Sequence, residues 1–268
     1  MTDKPKYTYM SLGAGVQSSA MYVLAHQGKI PRCEAAIFAD TKDEPPWVYE
    51  QLEALQEWGD IPIHVVSRGK ISSEMGDATR GRLASIPAFT VGDDGKAAPL
   101  RRQCTREYKI EPIQKKVRLL MGYKPRQRVK HEVVCQLGIT VDEISRMRPS
   151  RQKWVTNSFP LIDLRMHRDQ CYDIVEAEGM PTPKKSSCIF CPYHSDHFWH
   201  DLKTNHPDLF KFACDFDKRI RDMTKAGVKR PAYLHRSLKP LDEIEFIDIK
   251  QGTFEWADFM CDSGHCGV

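Results

Sequence analysis

Closely spaced cysteines are the residues of this sequence best suited to chemistry. Cys188 and Cys191 are two residues apart in Cys-Ile-Phe-Cys-Pro, a spacing that lets both thiolates face one metal ion or cluster, or act as a redox dithiol. Cys104 lies in Arg-Arg-Gln-Cys-Thr-Arg-Glu, where the positive field of three arginines favours its thiolate. All three are candidate metal ligands, and Cys104 is also a candidate catalytic residue.

Two more cysteines lie at the end of the chain. Cys261 and Cys266 are set among Asp, Ser and Gly in Phe-Met-Cys-Asp-Ser-Gly-His-Cys-Gly-Val, a composition that does not suit a core. A mobile arm with a nucleophilic thiolate is one interpretation; a further metal ligand and a tail with incidental cysteines are the others. The remaining cysteines lie in apolar segments and are predicted to be core residues: Cys33, Cys135, Cys171 and Cys214.

A glycine-bearing turn connects the first predicted strand to the first helix. Residues 7–29 read YTYMSLGAGVQSSAMYVLAHQGK, a strand that breaks at Gly13 and Gly15 before a helical run. Such a turn exposes backbone N–H groups at a helix N-terminus, which suits phosphate or sulfate. The sequence has neither Gly-x-Gly-x-x-Gly nor Gly-Lys-Ser/Thr, so it lacks the dinucleotide fingerprint and the Walker loop. Further hydrogen-bond donors for such an anion are the hydroxyl groups of Ser11, Ser18 and Ser19.

The elements that position these residues alternate between strand and helix. That alternation predicts an α/β fold, an open parallel sheet with helices on both faces. The second strand ends in Asp40 and Thr41, and polar groups past the carboxyl ends of adjacent parallel strands share one crevice. Strands are predicted at 7–12, 33–39, 61–66, 129–137 and 154–162, and helices at 19–27, 46–58, 107–121 and 167–178.

Composition divides the chain into two predicted parts. Residues 1–179 form the nucleotide-binding α/β domain, interrupted between 82 and 103 by a hairpin turn or mobile loop at Asp-Gly. Residues 180–268 form a smaller, mostly helical, cysteine-rich C-terminal module with a mobile tail. No run of about 18 apolar residues is present, so no membrane span is expected. The N-terminus shows no signal-peptide pattern, which predicts a cytoplasmic protein with reduced cysteines.

Positive charge is concentrated in one segment. The 268 residues carry a net charge of +4, but residues 96–153 hold sixteen Lys and Arg against five Asp and Glu. This surplus is either a solvated face or the contact surface for a phosphate-rich partner, a nucleotide or a nucleic acid such as tRNA or DNA.

An ordered set of motifs resembles a known family. The glycine turn is followed by FADTKDEP, RRQCTREYKIEPI, LGITVDEISR, FPLIDL and CIFCP between about Tyr9 and Pro192. This order is similar to the phosphoadenosine phosphosulfate (PAPS) reductase-like family of the adenine nucleotide alpha-hydrolase, or PP-loop, superfamily, and to its phage-type members.

The resemblance implies that the site binds an adenine nucleotide, either ATP or an adenylyl sulfate. Asp40 and Thr41 are then expected near the sugar or adenine, and Arg146 matches a family charge. Gln17 stands where the pyrophosphatase members have Asp, a departure that argues against ATP cleavage, although Asp40, Asp43 or Glu44 could bind magnesium. The phosphate or sulfate is expected at Ser11, Gly13, Gly15, Gln17 and Ser18.

The resemblance also implies roles for the cysteines. It places Cys104 beside the Cys188–Cys191 pair, as in a 4Fe-4S site with Cys261 as fourth ligand or with an open iron. Zinc is the alternative, with histidines 194, 197 and 200 close by. In the tail, Cys266 or Cys261 is expected to attack the terminal sulfur of an adenylyl sulfate. A thiol reductant such as thioredoxin then regenerates the enzyme.

Three functions remain open on this basis. The first is a PAPS reductase-like oxidoreductase that acts on an adenylyl sulfate. The second is an ATP-dependent iron-sulfur sulfurtransferase that modifies tRNA or DNA. The third is a non-catalytic nucleic-acid-binding protein with structural zinc. Gln17 and the cysteine tail favour the first, and the basic segment favours the second.

Overall fold

A five-stranded parallel sheet forms the centre of the protein. The computed structural model describes residues 6–75, 88–100, 103–224 and 227–246. The sheet has the order β3-β2-β1-β6-β7, and β4 and β5 form a separate antiparallel pair. The strands are β1 (Lys6–Leu12), β2 (Ala35–Asp40), β3 (Ile63–Ser67), β4 (Phe89–Val91), β5 (Ala97–Pro99), β6 (Glu132–Gln136) and β7 (Val155–Ser158).

Helices cover both faces of the sheet, which confirms the predicted fold class. None of the helices in the described ranges is long and apolar enough to cross a membrane. The helices are α1 (Val16–His26), α2 (Pro46–Trp58), α3 (Ile71–Met75), α4 (Glu111–Leu120), α5 (Pro160–Asp163), α6 (Arg168–Ala177), α7 (Asp196–Asn205) and α8 (Pro207–Arg219). Shorter turns are π-helical at Thr105–Ile110 and 3-10 at Val141–Arg146 and Leu241–Glu243.

Alternate residues of the central strands enter two different cores. Met10 and Phe38 pack with α1, α2 and α6, whereas Tyr9 and Ile37 pack with α4 on the opposite face. Strands buried on both faces need continuous apolar sequence, and β2 is buried at every position. The four cysteines predicted as core residues are indeed buried: Cys33, Cys135, Cys171 and Cys214.

The C-terminal helices share the first core. Trp199 of α7 and Phe216 of α8 are buried in the same apolar cluster as Met10 of β1. The predicted boundary falls at Gly179, which has φ 73° and follows the end of α6. A glycine there permits the left-handed backbone that ends many helices. The division into two domains stays a prediction.

The strand order creates a switch point beside β1. From β1 the chain builds β2 and β3 outward on one side, and later adds β6 and β7 on the other. In open parallel sheets the loops at such a reversal separate and leave a crevice at the carboxyl edge, where ligands bind. The loops after β1 and β6 flank this crevice.

Most predicted elements are confirmed, and two need correction. The helix predicted at 46–58 is α2, and the Asp-Gly turn joins β4 to β5, with Gly95 at φ 77°. The strand predicted at 154–162 ends at Ser158, because Pro160 begins a short helix. The helix predicted from residue 107 begins instead with the π-helical turn, and its regular part starts at Glu111.

Candidate functional site

A crevice of about 140 Å³ lies at the switch point. It is bounded by the glycine turn after β1, the end of β2 and the loop after β6. These are the positions that the topology predicts for a ligand. Six of the predicted nucleotide-binding residues line it: Ser11, Gly13, Gly15, Gln17, Ser18 and Arg146.

Cationic side chains line the same crevice. Arg146 forms a close ion pair with the buried Glu143, and Arg168 lies 4.0 Å from the other oxygen of that carboxylate. No Asp or Glu is among the described residues that line the crevice, so its field favours an anion. Guanidinium and ammonium groups bind phosphate or sulfate through charge-assisted hydrogen bonds. The cations that line it are Lys109, Arg146, Arg168, Lys184 and Lys185.

Ser18 organises the glycine turn. The N–H groups of Gly13 and Gly15 each donate to Ser18 Oγ over 3.2 Å, and Ser18 Oγ donates to the Gly15 carbonyl over 3.1 Å. Ala14, between the glycines, takes the left-handed backbone, with φ 51°. Gly15 is required for close approach, because a Cβ there would stand 2.5 Å from Ser186 Oγ.

Gly138 is a site residue that the sequence analysis missed. A Cβ at this position would stand 3.0 Å from the Ser18 nitrogen and 3.1 Å from the Gln17 carbonyl carbon. A larger residue here would push the loop after β6 or the turn after β1 out of its present position. A glycine directly after a strand at a switch point is the signal that could have identified it. Four further cationic lining residues were not identified from the sequence, because nothing in their local sequence shows that they meet in the fold: Lys109, Arg168, Lys184 and Lys185.

Three predicted nucleotide-binding residues do not line the crevice. Ser19 is fully buried within α1. Asp40 Oδ1 accepts hydrogen bonds from the Lys42 N–H at 2.7 Å and the Tyr49 hydroxyl at 2.9 Å. Thr41 Oγ1 donates to Glu44 Oε1 over 3.1 Å. Their contact with a nucleotide stays a prediction.

A buried polar cluster connects the crevice to Cys188. Lys109 lines the crevice and pairs with Glu44 Oε1 at 3.1 Å, and Thr41 Oγ1 lies 3.3 Å from Cys188 Sγ. Burial raises the pKa of the Cys188 thiol well above its usual value, and the Glu44 carboxylate raises it further, whereas Lys109 lowers it. Cys188 is therefore a neutral thiol near pH 7.

The iron-sulfur or zinc site implied by the family resemblance stays a prediction, because one of its expected ligands, Cys261, lies outside the described residues. No three His, Cys, Asp or Glu side chains of the described ranges are arranged to hold a metal ion. Cys104 is close enough to influence the Cys188 pKa. Both tail cysteines, Cys261 and Cys266, lie outside the described residues.

The histidines near the cysteine pair have structural contacts. The His194 ring stacks on Phe198, with 3.7 Å between centroids, and its Nε2 lies 2.9 Å from the Cys188 carbonyl oxygen. The Cys191 N–H donates to the same carbonyl oxygen over 2.9 Å and closes the turn of the pair. These contacts fix the turn that carries Cys188.

Comparisons with known proteins give a distant structural likeness. No protein-family model matches the sequence, and no curated protein matches it. Among solved structures, the chain is similar to a PAPS reductase from Candida auris in a phosphate complex, with 13% identity and a TM-score of 0.41. The match covers 70% of this chain and 82% of that chain. A likeness this distant leaves function to be argued from the site.

Proposed function

We propose that the crevice binds the phosphate or phosphosulfate end of an adenine nucleotide, and that the protein performs PAPS reductase-like sulfur chemistry. One observation carries this proposal. The glycine turn meets Gly138 and five cationic side chains at the switch point of a parallel sheet. That combination of close backbone approach and positive charge is suited to a phosphorylated ligand.

Each part of the crevice has a role in binding. Arg146 and Arg168 supply guanidinium donors, and Glu143 between them orients both. Lys109 supplies a point charge from the opposite wall and is held by Glu44. Ser18 fixes the backbone of the turn beside them.

The acidic residues favour a reductase over an ATP pyrophosphatase. Gln17 has no carboxylate for magnesium. The three alternative ligands have other partners. Asp40 accepts hydrogen bonds from the Lys42 N–H and the Tyr49 hydroxyl, Asp43 accepts from the N–H and hydroxyl of Ser72, and Glu44 pairs with Lys109. None of the described residues that line the crevice therefore offers a carboxylate for the magnesium ion that ATP cleavage needs.

The proposed chemistry uses a thiolate of the tail. Cys266, or alternatively Cys261, attacks the terminal sulfur of an adenylyl sulfate. A sulfur–sulfur bond forms, the sulfur–oxygen bond breaks, and the electron pair leaves on the phosphate oxygen of the nucleotide. A dithiol reductant such as thioredoxin then releases sulfite and is oxidised to a disulfide. The sequence of the tail and the family resemblance support this step.

Mass spectrometry tests this function. The protein is incubated with adenosine 5′-phosphosulfate or its 3′-phosphorylated form, without reductant, and the C-terminal peptide is analysed. One added SO₃ group on Cys266 is the expected result, and Cys266→Ser should remove it without weakening nucleotide binding. The same adduct on Cys261, abolished by Cys261→Ser, would identify that residue as the nucleophile. No adduct on either residue would overturn the proposed reductase chemistry.

A further inference from the structure

A second chamber of about 610 Å³ adjoins the crevice. It extends between α4 and the sheet, over β1, β6 and β7, and is closed by the loop at residues 148–152. The two spaces share a wall, because both are lined by Ser11, Ile110, Ile113, Leu137 and Arg146. A ligand in the chamber would lie next to a ligand in the crevice.

The interior of the chamber combines an apolar floor with amide groups. Part of the floor is formed by Tyr9 of β1, Leu137 directly after β6 and Val155 of β7. Gln114 and Asn157 add side-chain amides, which both donate and accept hydrogen bonds. Apolar surface with a few amides is suited to a heterocyclic base, whose faces are apolar and whose edges carry donors and acceptors.

Arginines line the outer part of the chamber. Arg106 pairs with the half-buried Glu111 at 2.9 Å, whereas Arg148 donates to the carbonyl oxygens of Ser145 and Met147, each at 2.7 Å. Arg148 and Arg151 are exposed, and neither forms an ion pair within the described part of the chain. Exposed guanidinium groups without acidic partners are suited to phosphodiester groups.

The Lys- and Arg-rich residues of the segment 96–153 do not all lie on one surface. Arg126 and Arg128 lie in the connection from α4 to β6, at the amino edge of the sheet, and do not line the chamber. Arg148 and Arg151 follow β6 and do line it. All four side chains are exposed. Replacing Arg126 and Arg128 therefore removes the same charge as replacing Arg148 and Arg151, and serves as a control for the loss of charge alone.

We propose that the chamber binds one nucleotide of a single-stranded nucleic acid. The base lies on the apolar floor, and the flanking phosphates contact Arg148 and Arg151. A single strand is required, because a base enters such a chamber only when it is not paired or stacked. The strand then meets the crevice at Ser11 and Arg146. Any chemistry on the strand rests on the proposed nucleotide site, but binding of the strand does not.

Fluorescence anisotropy with labelled single-stranded RNA and DNA of about 12 nucleotides tests this inference. Arg148→Ala/Arg151→Ala should weaken binding about tenfold and reduce the slope of log affinity against log salt by about 1.4, since two phosphate contacts are lost. Arg126→Ala/Arg128→Ala should stay within about twofold of the unmodified protein. Equal effects of the two double variants, or no binding of either oligonucleotide, would overturn the inference.

A competition experiment separates this site from the proposed nucleotide site. Saturating adenosine 5′-phosphosulfate should leave strand binding in place, and Arg148→Ala/Arg151→Ala should retain its nucleotide affinity by calorimetry. If adenosine or the nucleotide displaces the strand completely, the chamber holds the nucleoside of the crevice ligand and the inference is wrong. If the nucleotide fails to bind while the strand binds as expected, the proposed function fails and the chamber site stands.

Discussion

Gly138 lies against the backbone of Ser18, so closely that a Cβ at position 138 would stand 3.0 Å from the Ser18 nitrogen. The contact joins the loop after β6 to the glycine turn after β1 across the switch point. Ser18 in turn holds the N–H groups of Gly13 and Gly15. The shape of the crevice therefore depends on a glycine that is about 120 residues away along the chain.

Gly138→Ala should impair nucleotide binding more than folding. The added methyl group meets backbone atoms, so the turn must shift and the crevice changes shape. We expect a loss of about tenfold or more in affinity, measured by calorimetry. Gly28→Ala is the control: its backbone is strained by φ 70°, but nothing lies within 4 Å of the added Cβ. The Gly28→Ala variant should have a lower melting temperature and an unchanged affinity for the nucleotide. Equal nucleotide affinities of the Gly138→Ala and Gly28→Ala variants would contradict the role of Gly138.

Arg146 should contribute to both binding and stability, and the two effects can be separated. Arg146→Ala removes the close ion pair of the buried Glu143, whereas Arg168 lies 4.0 Å away, at a cost of about 3 kcal/mol in the free energy of unfolding. Arg146→Ala/Glu143→Gln should recover most of that stability in denaturant unfolding and none of the nucleotide affinity. Recovery of affinity in the double variant would show that Arg146 acts only through folding.

The Cys188 thiol should react slowly near neutral pH. Burial and Glu44 raise its pKa, so the thiolate fraction stays small until the pH is well above 9. Glu44→Gln removes one of these causes and should increase the rate of alkylation severalfold, measured by peptide mass spectrometry across pH. Glu53→Gln on the exposed face of α2 should change nothing. Rapid alkylation of the unmodified protein at pH 7 would contradict the neutral thiol and favour a thiolate ready for metal.

His167, which pairs with Asp142, should have a pKa above the ordinary histidine value. Asp142 Oδ1 lies 2.7 Å from His167 Nδ1, and this carboxylate raises the histidine pKa above 6.5. The stabilisation that the pair contributes is complete below the unfolded pKa and is lost as pH rises through the raised folded value. In an NMR titration, Asp142→Asn should move the His167 pKa down toward 6.5 and leave the other histidines unchanged. An unmoved His167 pKa would contradict the pairing.

Local sequence was sufficient for the glycine turn. Gly13, Gly15 and Ser18 lie within six residues, between a strand and a helix, and each was identified because nearby positions define the conformation. The left-handed residue was not identified. It is Ala14, whose φ of 51° follows from packing around the turn rather than from residue type.

Long-range contacts explain what the sequence did not reveal. Lys109, Arg168 and Lys184 enter the crevice from separate elements, and only the strand order brings them together. The surplus of Lys and Arg between residues 96 and 153 was counted as one feature of the sequence. In the fold, β6 lies inside this segment, so Arg126 before the strand is separated from the chamber that Arg148 lines after it. Charge counted along a segment does not give its distribution over the folded surface.

Calorimetry that compares adenosine 5′-phosphosulfate with adenosine tests most directly whether the crevice binds an anion. The sulfonucleotide should bind at least about 100-fold more tightly than adenosine, because charge-assisted hydrogen bonds to its phosphosulfate supply much of the affinity. Arg168→Ala should lower that affinity about tenfold. The exposed Lys211→Ala on α8 should have no effect. Equal affinity for the two ligands, or an Arg168→Ala variant that binds like the unmodified protein, would contradict the central claim.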